Sequence, residues 1–171
     1  MSNLPAAAAS EAAAVLQAAT NRGLKLAVAE SLTGGLVSAE LAAVPGASNV
    51  LLGAVVAYQN AVKQSALGVP QDSLDRFGAV SGQVALEMAK GARVRFAGHC
   101  GITDELVVGL ATTGVAGPDA IEGKAVGTVF IALSSFAGDR VVELKLSGSR
   151  EQIRQGTVGA ALKLFLEHFQ A

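Results

Sequence analysis

The 171-residue chain has one cysteine (Cys100), two histidines (His99 and His168), one tyrosine (Tyr58) and no tryptophan. A single thiol excludes an intrachain disulfide. So few Cys and His argue against a Cys/His zinc site. Charge of one sign is missing too. Thirteen Lys and Arg stand against 14 Asp and Glu, and the net charge of −1 leaves no basic surplus for nucleic acid. The densest basic group, Lys90, Arg93 and Arg95, reads as a solvated helix C-terminus, favourable against the helix dipole. No run reaches the roughly 18 consecutive strongly apolar residues of a membrane span. The start, MSNLPAAAASEAAAVLQAA, has no basic region ahead of its apolar stretch and contains Glu11 and Gln17. It reads as a first helix, not a signal peptide. The expectation is a cytoplasmic protein that needs neither metal nor cofactor.

What is present is apolar and small. Hydrophobic residues make up 51% of the chain and glycines number 20. That suits a compact α/β domain and argues against disorder. No linker or repeat divides the chain, so a single domain over 1–171 is expected. Helical patterns fall at 6–21, 34–43, 61–67 (capped by Asn60), 81–95 (capped by Ser81) and from 149 to about 169. The helix at 81–95 is amphipathic, with Val84, Met88 and Val94 on its apolar face. Gly68, Pro70 and Asp72 break the pattern between helices. Strand patterns fall at 24–29, 50–58, 106–112, 127–135 and 140–146. The run at 50–58 is continuously apolar, fit for a strand buried on both faces. The last two strands flank a short turn at Ala137-Gly138-Asp139 and read as an antiparallel hairpin. Strands alternating with helices imply a three-layer α/β/α sandwich with a mixed, mostly parallel sheet.

The segment AESLTGG at 29–35 places Ser31 between a strand end and a helix start. Ligands gather there in open α/β sheets. Ser31 is then either a helix cap or a nucleophile, and Thr33 could serve equally as the cap. The surroundings are not G-x-S-x-G. A histidine base is not at hand. His168 lies at a frayed helix end, and His99 lies in a connection that enters a strand from the opposite rim. Lys63 is the better base, because it follows the C-terminal end of the 50–58 strand. If that strand is parallel to the first, Lys63 and Ser31 share one rim. An apolar setting would lower its pKa, and the alternative is an ordinary exposed lysine. Tyr58 ends the same strand and could relay a proton, hold a substrate or simply edge the core.

A glycine-rich stretch, TTGVAGPDAIEGKAVGT at 112–128, follows another strand. Its N–H groups could hold a phosphate, or it could be only a tight turn. It has neither the G-K-[ST] of a P-loop nor a G-x-G-x-x-G. Arg150 and Arg154 open the last helix, where a cation is electrostatically disfavoured. They face either an anionic ligand or a partner such as Glu151 or the Asp139 turn.

Six ordered segments resemble one family, the C-terminal domain of the CinA competence/damage-inducible proteins, and its stand-alone form, nicotinamide-nucleotide amidase. They are AESLTGG (29–35), GAVVAYQNAVKQSALGV (53–69), GAVSGQVALEMAKGAR (78–93), TTGVAGP (112–118), AVGTVFIAL (125–133) and SREQIRQGTV (149–158). The absence of a molybdopterin-binding-like segment ahead of them is expected for the single-domain form. The resemblance implies hydrolysis of the carboxamide of nicotinamide mononucleotide to nicotinate mononucleotide and ammonia. It implies Ser31 as nucleophile, Lys63 as base and Tyr58 as auxiliary. Thr33, Gly34 and Gly35 would supply oxyanion N–H groups. Asn60, Thr113, Gly114, Gly117 and Arg150 would bind substrate. A homo-oligomer is expected. One stretch departs from the family pattern: Asp119 to Val126 is shorter and lacks a second proline. The rival reading is a non-catalytic nucleotide-binding module linked to competence or DNA damage. A further one is an amidase acting on another carboxamide.

Overall fold

The computed structural model describes residues 6–170. Residues 1–5, which open the stretch read above as a helix and not a signal peptide, lie outside the described residues, as does Ala171. The elements are α1 (Ala6–Asn21), β1 (Lys25–Glu30), α2 (Leu36–Ala42), β2 (Leu51–Val56), α3 (Asn60–Leu67), α4 (Gln71–Phe77), α5 (Gly82–Cys100), β3 (Val107–Gly114), β4 (Thr128–Ser135), β5 (Gly138–Lys145) and α6 (Arg150–Gln170). The sheet order is β2-β1-β3-β4-β5.

β1 is parallel to both β2 and β3, whereas β4 is antiparallel to β3 and to β5. The sheet is therefore mixed, as expected. It is mostly parallel only in strand direction, since β4 alone runs against the rest while half the pairings are antiparallel. The chain leaves β1 for β2 on one side and returns to β3 on the other. The carboxyl ends of β1 and β3 thus flank a topological switch point, the usual ligand crevice of an open α/β sheet.

The sheet has a large-residue face and a small-residue face, and strand alternation produces both. Leu26, Val28, Val108 and Leu110 point into the core beneath α1, α2 and α6. Ala27, Ala29 and Ala111 point to the side of α3, α4 and α5. The small face lets α5 approach closely. A Cβ on Gly109 would lie 2.0 Å from the Ala89 carbonyl oxygen.

Several expectations need correction. β2 is an edge strand, half-buried, with Val56 47% exposed. An apolar run alone does not distinguish an edge from a centre, because β2 has one neighbour in the sheet. Helix α4 occupies the segment read as a break. Pro70 stands at its N-cap, where a missing N–H is harmless, and Asp72 sits favourably in its first turn. Asn60 does not cap α3. It is the first helical residue, and Gln59 holds the N-cap position without a side-chain bond. Ser81 does cap α5, accepting from the Val84 N–H at 3.2 Å. That helix runs on to Cys100, ended by Gly101 at φ +63°, and Val94 is exposed. The basic group on it is tied down: Lys90 pairs with Asp139, Arg93 pairs with Asp104, and Arg95 donates to the Ser65 carbonyl. The hairpin turns on Phe136-Ala137, since Ser135 pairs with Gly138.

Candidate active site

The crevice at the ends of β1 and β3 opens into a cavity of about 280 Å³. Ser31 enters it directly after β1, held by its backbone N–H to the Thr112 carbonyl at 2.9 Å. Because β2 is parallel to β1, the chain leaving β2 delivers Lys63 to the same rim. Lys63 is 2% exposed, so it is not the ordinary surface lysine. Its Nζ lies 3.0 Å from the Ala57 carbonyl oxygen, 3.4 Å from that of Tyr58 and 3.3 Å from Ser31 Oγ. Burial pushes its pKa below the ordinary 10.5, partly opposed by the Glu122 carboxylate.

Those three partners define what the amine can do. A neutral amine has two N–H groups and one lone pair. The two carbonyls can only accept, so they take the two N–H groups. The lone pair is left to the one partner that carries a proton, the Ser31 hydroxyl. The geometry thus makes Lys63 an acceptor for the Ser31 proton whenever the amine is neutral.

The turn after Ser31 differs from expectation. Glu30 is fully buried, and its carboxylate caps α2 from five residues back. Oε2 accepts from the N–H groups of Gly35 (2.9 Å) and Val37 (3.1 Å). Oε1 accepts from the N–H (2.9 Å) and hydroxyl (2.8 Å) of Ser38. Ser31 and Thr33 are therefore not the caps. The Gly35 N–H is consumed by Glu30, and the Gly34 N–H donates to the Ser31 carbonyl at 3.2 Å. Gly34 and Gly35, with φ of +60° and +99°, bend the chain back and lie outside the cavity lining. Thr33 is also outside it, fully buried, sharing a hydroxyl hydrogen bond of 2.7 Å with Thr112. Among the described residues, the turn N–H groups without a partner are those of Leu32 and Thr33, and Leu32 lines the cavity.

The other expected residues do converge. Tyr58, Asn60, Thr113, Gly114, Gly117 and Arg150 all line the cavity. Tyr58 is 53% exposed, and its hydroxyl accepts from Arg150 at 2.8 Å. Only its carbonyl meets Lys63. Arg150 also donates to the Gly117 carbonyl, so it links the glycine loop to Tyr58 across the cavity mouth. Thr113 is anchored by its hydroxyl to the Ala79 carbonyl at 2.8 Å. Gly114 is required by close packing on β4: a Cβ there would lie 2.8–2.9 Å from Val129 and the Thr128 carbonyl.

Three further residues take part. Glu30 and Glu122 carry no sequence signal for a role, and Arg154 reads from sequence only as a cation near a helix start. It donates to the Leu32 (3.0 Å) and Thr33 (2.8 Å) carbonyls and so braces the Ser31 turn from α6. Neither histidine lines the cavity. His99 is exposed, and His168 bonds Ser135 at 3.0 Å near the β4–β5 turn. Among the described residues no three Cys, His, Asp or Glu cluster as a metal site, and no helix is long and apolar enough to cross a membrane.

A sheet-end crevice carrying a serine and a buried lysine defines an α/β protein with a Ser–Lys pair. Comparison with known proteins places it more closely. The CinA C-terminal domain family matches residues 8–169, and the chain belongs to that family. It is 52% identical over 147 residues to a relative in Desulforamulus reducens named as a competence-damage inducible protein, covering 86% of this chain and 34% of the relative. A CinA-like protein of Syntrophotalea carbinolica is 48% identical over 145 residues, covering 84% of this chain and 33% of its own length. The chain thus spans about a third of the length of these curated relatives. The crystal structure of competence/damage inducible protein CihA from Agrobacterium tumefaciens superposes with a TM-score of 0.88 at 34% identity, covering 98% of this chain and 99% of that one.

Proposed function

We propose that this chain is a Ser/Lys amidohydrolase that converts nicotinamide mononucleotide to nicotinate mononucleotide and ammonia. The observation that carries the reading is the buried Lys63 amine, with two carbonyl acceptors and the Ser31 hydroxyl 3.3 Å away. A module that only binds nucleotide has no use for a desolvated lysine against a serine. The substrate is the one that the family resemblance implies.

In this mechanism the neutral Lys63 amine takes the Ser31 proton as Oγ attacks the carboxamide carbon. Negative charge collects on the carboxamide oxygen. The N–H of Leu32 is the donor best placed to receive it, with that of Thr33 beside it. One such donor lowers the barrier by on the order of 3 kcal/mol. The Lys63 ammonium then protonates the leaving nitrogen, and ammonia departs. Water, deprotonated in turn by Lys63, attacks the Ser31 ester, releasing the carboxylate and restoring the hydroxyl. Arg150, at the cavity mouth, is the group suited to the substrate phosphate.

The test is the Ser31→Ala variant, incubated with nicotinamide mononucleotide while ammonia is measured. Release should vanish while circular dichroism and thermal unfolding stay close to wild type. Undiminished release would remove Ser31 as nucleophile.

A further inference from the structure

The loop that departs from the family pattern places an acid in the same cavity. Ile121 and Lys124 exchange backbone hydrogen bonds, N–H of Ile121 to the Lys124 carbonyl at 3.2 Å and the reverse at 2.9 Å. Glu122 and Gly123 form the two-residue tip between them, with φ of +52° and +73°. Positive φ at both central residues is the pattern of a type I′ turn, which favours Asn, Asp or Gly at its first position. A glutamate there is locally disfavoured. Glu122 is the one non-glycine residue with positive φ among the described residues.

Glu122 at this turn tip is one of the residues lining the cavity that Ser31, Lys63 and Arg150 also line, and its carboxylate is near enough to act electrostatically on the Lys63 amine. The carboxylate seats against the bare Cα of Gly78, where a Cβ would fall within 2.2 Å of Oε2. Gly78 itself has φ +77°, so a glycine at that position leaves room for the acid. The cavity lining therefore includes a glutamate from the loop, its carboxylate beside Gly78, and an arginine from α6. Arg150 already has neutral partners in Tyr58 and Gly117, and no ion pair joins it to Glu122. Two opposite charges left uncompensated by each other suit a ligand that carries both signs.

We propose that Glu122 is a specificity residue that selects ligands with a cationic ring, its carboxylate facing the ring charge while Arg150 faces the phosphate. This rests on the amidase reading for the identity of the ligand and names a role for a residue outside the Ser–Lys pair. A neutral ring of the same shape gains nothing from Glu122. Screening by salt should weaken the preference, because Glu122 is exposed.

The experiment compares two ligands that differ in one ring atom. One is nicotinamide mononucleotide. The other is benzamide riboside 5′-monophosphate, in which carbon replaces the cationic ring nitrogen. Affinities are measured by calorimetry in the Ser31→Ala background, with and without Glu122→Gln. The single variant should prefer the cationic ligand, and Glu122→Gln should weaken that ligand about fivefold while leaving the neutral one unchanged. Equal weakening of both ligands, no weakening of either, or no binding by either would overturn the proposal. Ammonia release by the wild type is followed separately. If it is absent while the charge preference and its loss in Glu122→Gln persist, the amidase reading fails and the role of Glu122 stands.

Discussion

Replacing Lys63 with methionine separates what the amine does for chemistry from what it does for stability. Methionine keeps the unbranched length and removes the nitrogen. The two bonds to the Ala57 and Tyr58 carbonyls are lost, at about 1 kcal/mol each. Against this, the amine no longer has to be desolvated, and burial is the main cause of its lowered pKa. The two effects oppose each other, so the net change at neutral pH should stay within about 2 kcal/mol. The pH dependence has a definite sign. The folded pKa lies below the unfolded 10.5, so between those two values the unfolded chain binds more protons. Wild-type stability therefore rises with pH across that window relative to Lys63→Met, and the difference is flat below it and above it. Activity should fall by about a hundredfold to ten-thousandfold, the usual contribution of a positioned base. Paired thermal unfolding from neutral to alkaline pH, with ammonia release measured on the same preparations, makes the comparison. A stability difference independent of pH would refute the buried-amine argument. Retention of most of the activity would refute Lys63 as base.

The remaining predictions concern the groups around the pair. Glu30→Ala should remove four hydrogen bonds and leave three backbone N–H groups of the α2 start unpaired, lowering stability by about 3–5 kcal/mol, read from denaturant midpoints. Arg154→Met should release the Leu32 and Thr33 carbonyls and lower kcat with little change in KM, because it touches the turn and does not line the cavity. An equal rise in KM with kcat unchanged would make Arg154 a binding residue instead.

The sequence showed the rim but not its wiring. Alternation in KLAVAE and the run LLGAVV were enough to predict two strands, and their parallel pairing brings Lys63 to Ser31. The family segments identified the same pair. Exposure was less legible. Val50 to Tyr58 reads as a buried centre, yet β2 lies at the edge, because an apolar pattern reports side-chain character and not the number of neighbouring strands. The break at Gly68 to Asp72 concealed α4, because a proline that ends one helix can equally begin another. Arg154 could be noted but not assigned, since its partners lie 121 and 122 residues away in sequence. Glu122 lacked any local cue: its turn is marked by Gly123 alone, and its meeting with Gly78 is a tertiary contact.

AESLTGG divides its work differently from the simplest picture of a serine at a helix start. In that picture the helix N-terminus activates the nucleophile or receives the oxyanion. Here Glu30 faces the α2 terminus and takes up its first free N–H groups. The positive end of the helix is thus satisfied by a carboxylate that immediately precedes Ser31. Two consequences follow for the site. The Ser31 backbone is pinned between the Glu30 cap, the Thr112 carbonyl and the Arg154 brace on Leu32 and Thr33, so Oγ is held in place before any ligand arrives. Among the described residues Lys63 is the side chain that bonds Oγ, so in the proposed mechanism activation of the hydroxyl falls to it. The two glycines then have a conformational purpose. Their positive φ turns the chain tightly enough for a glutamate five residues back to reach the helix end, which leaves Ser31 on the outside of the bend and facing the cavity.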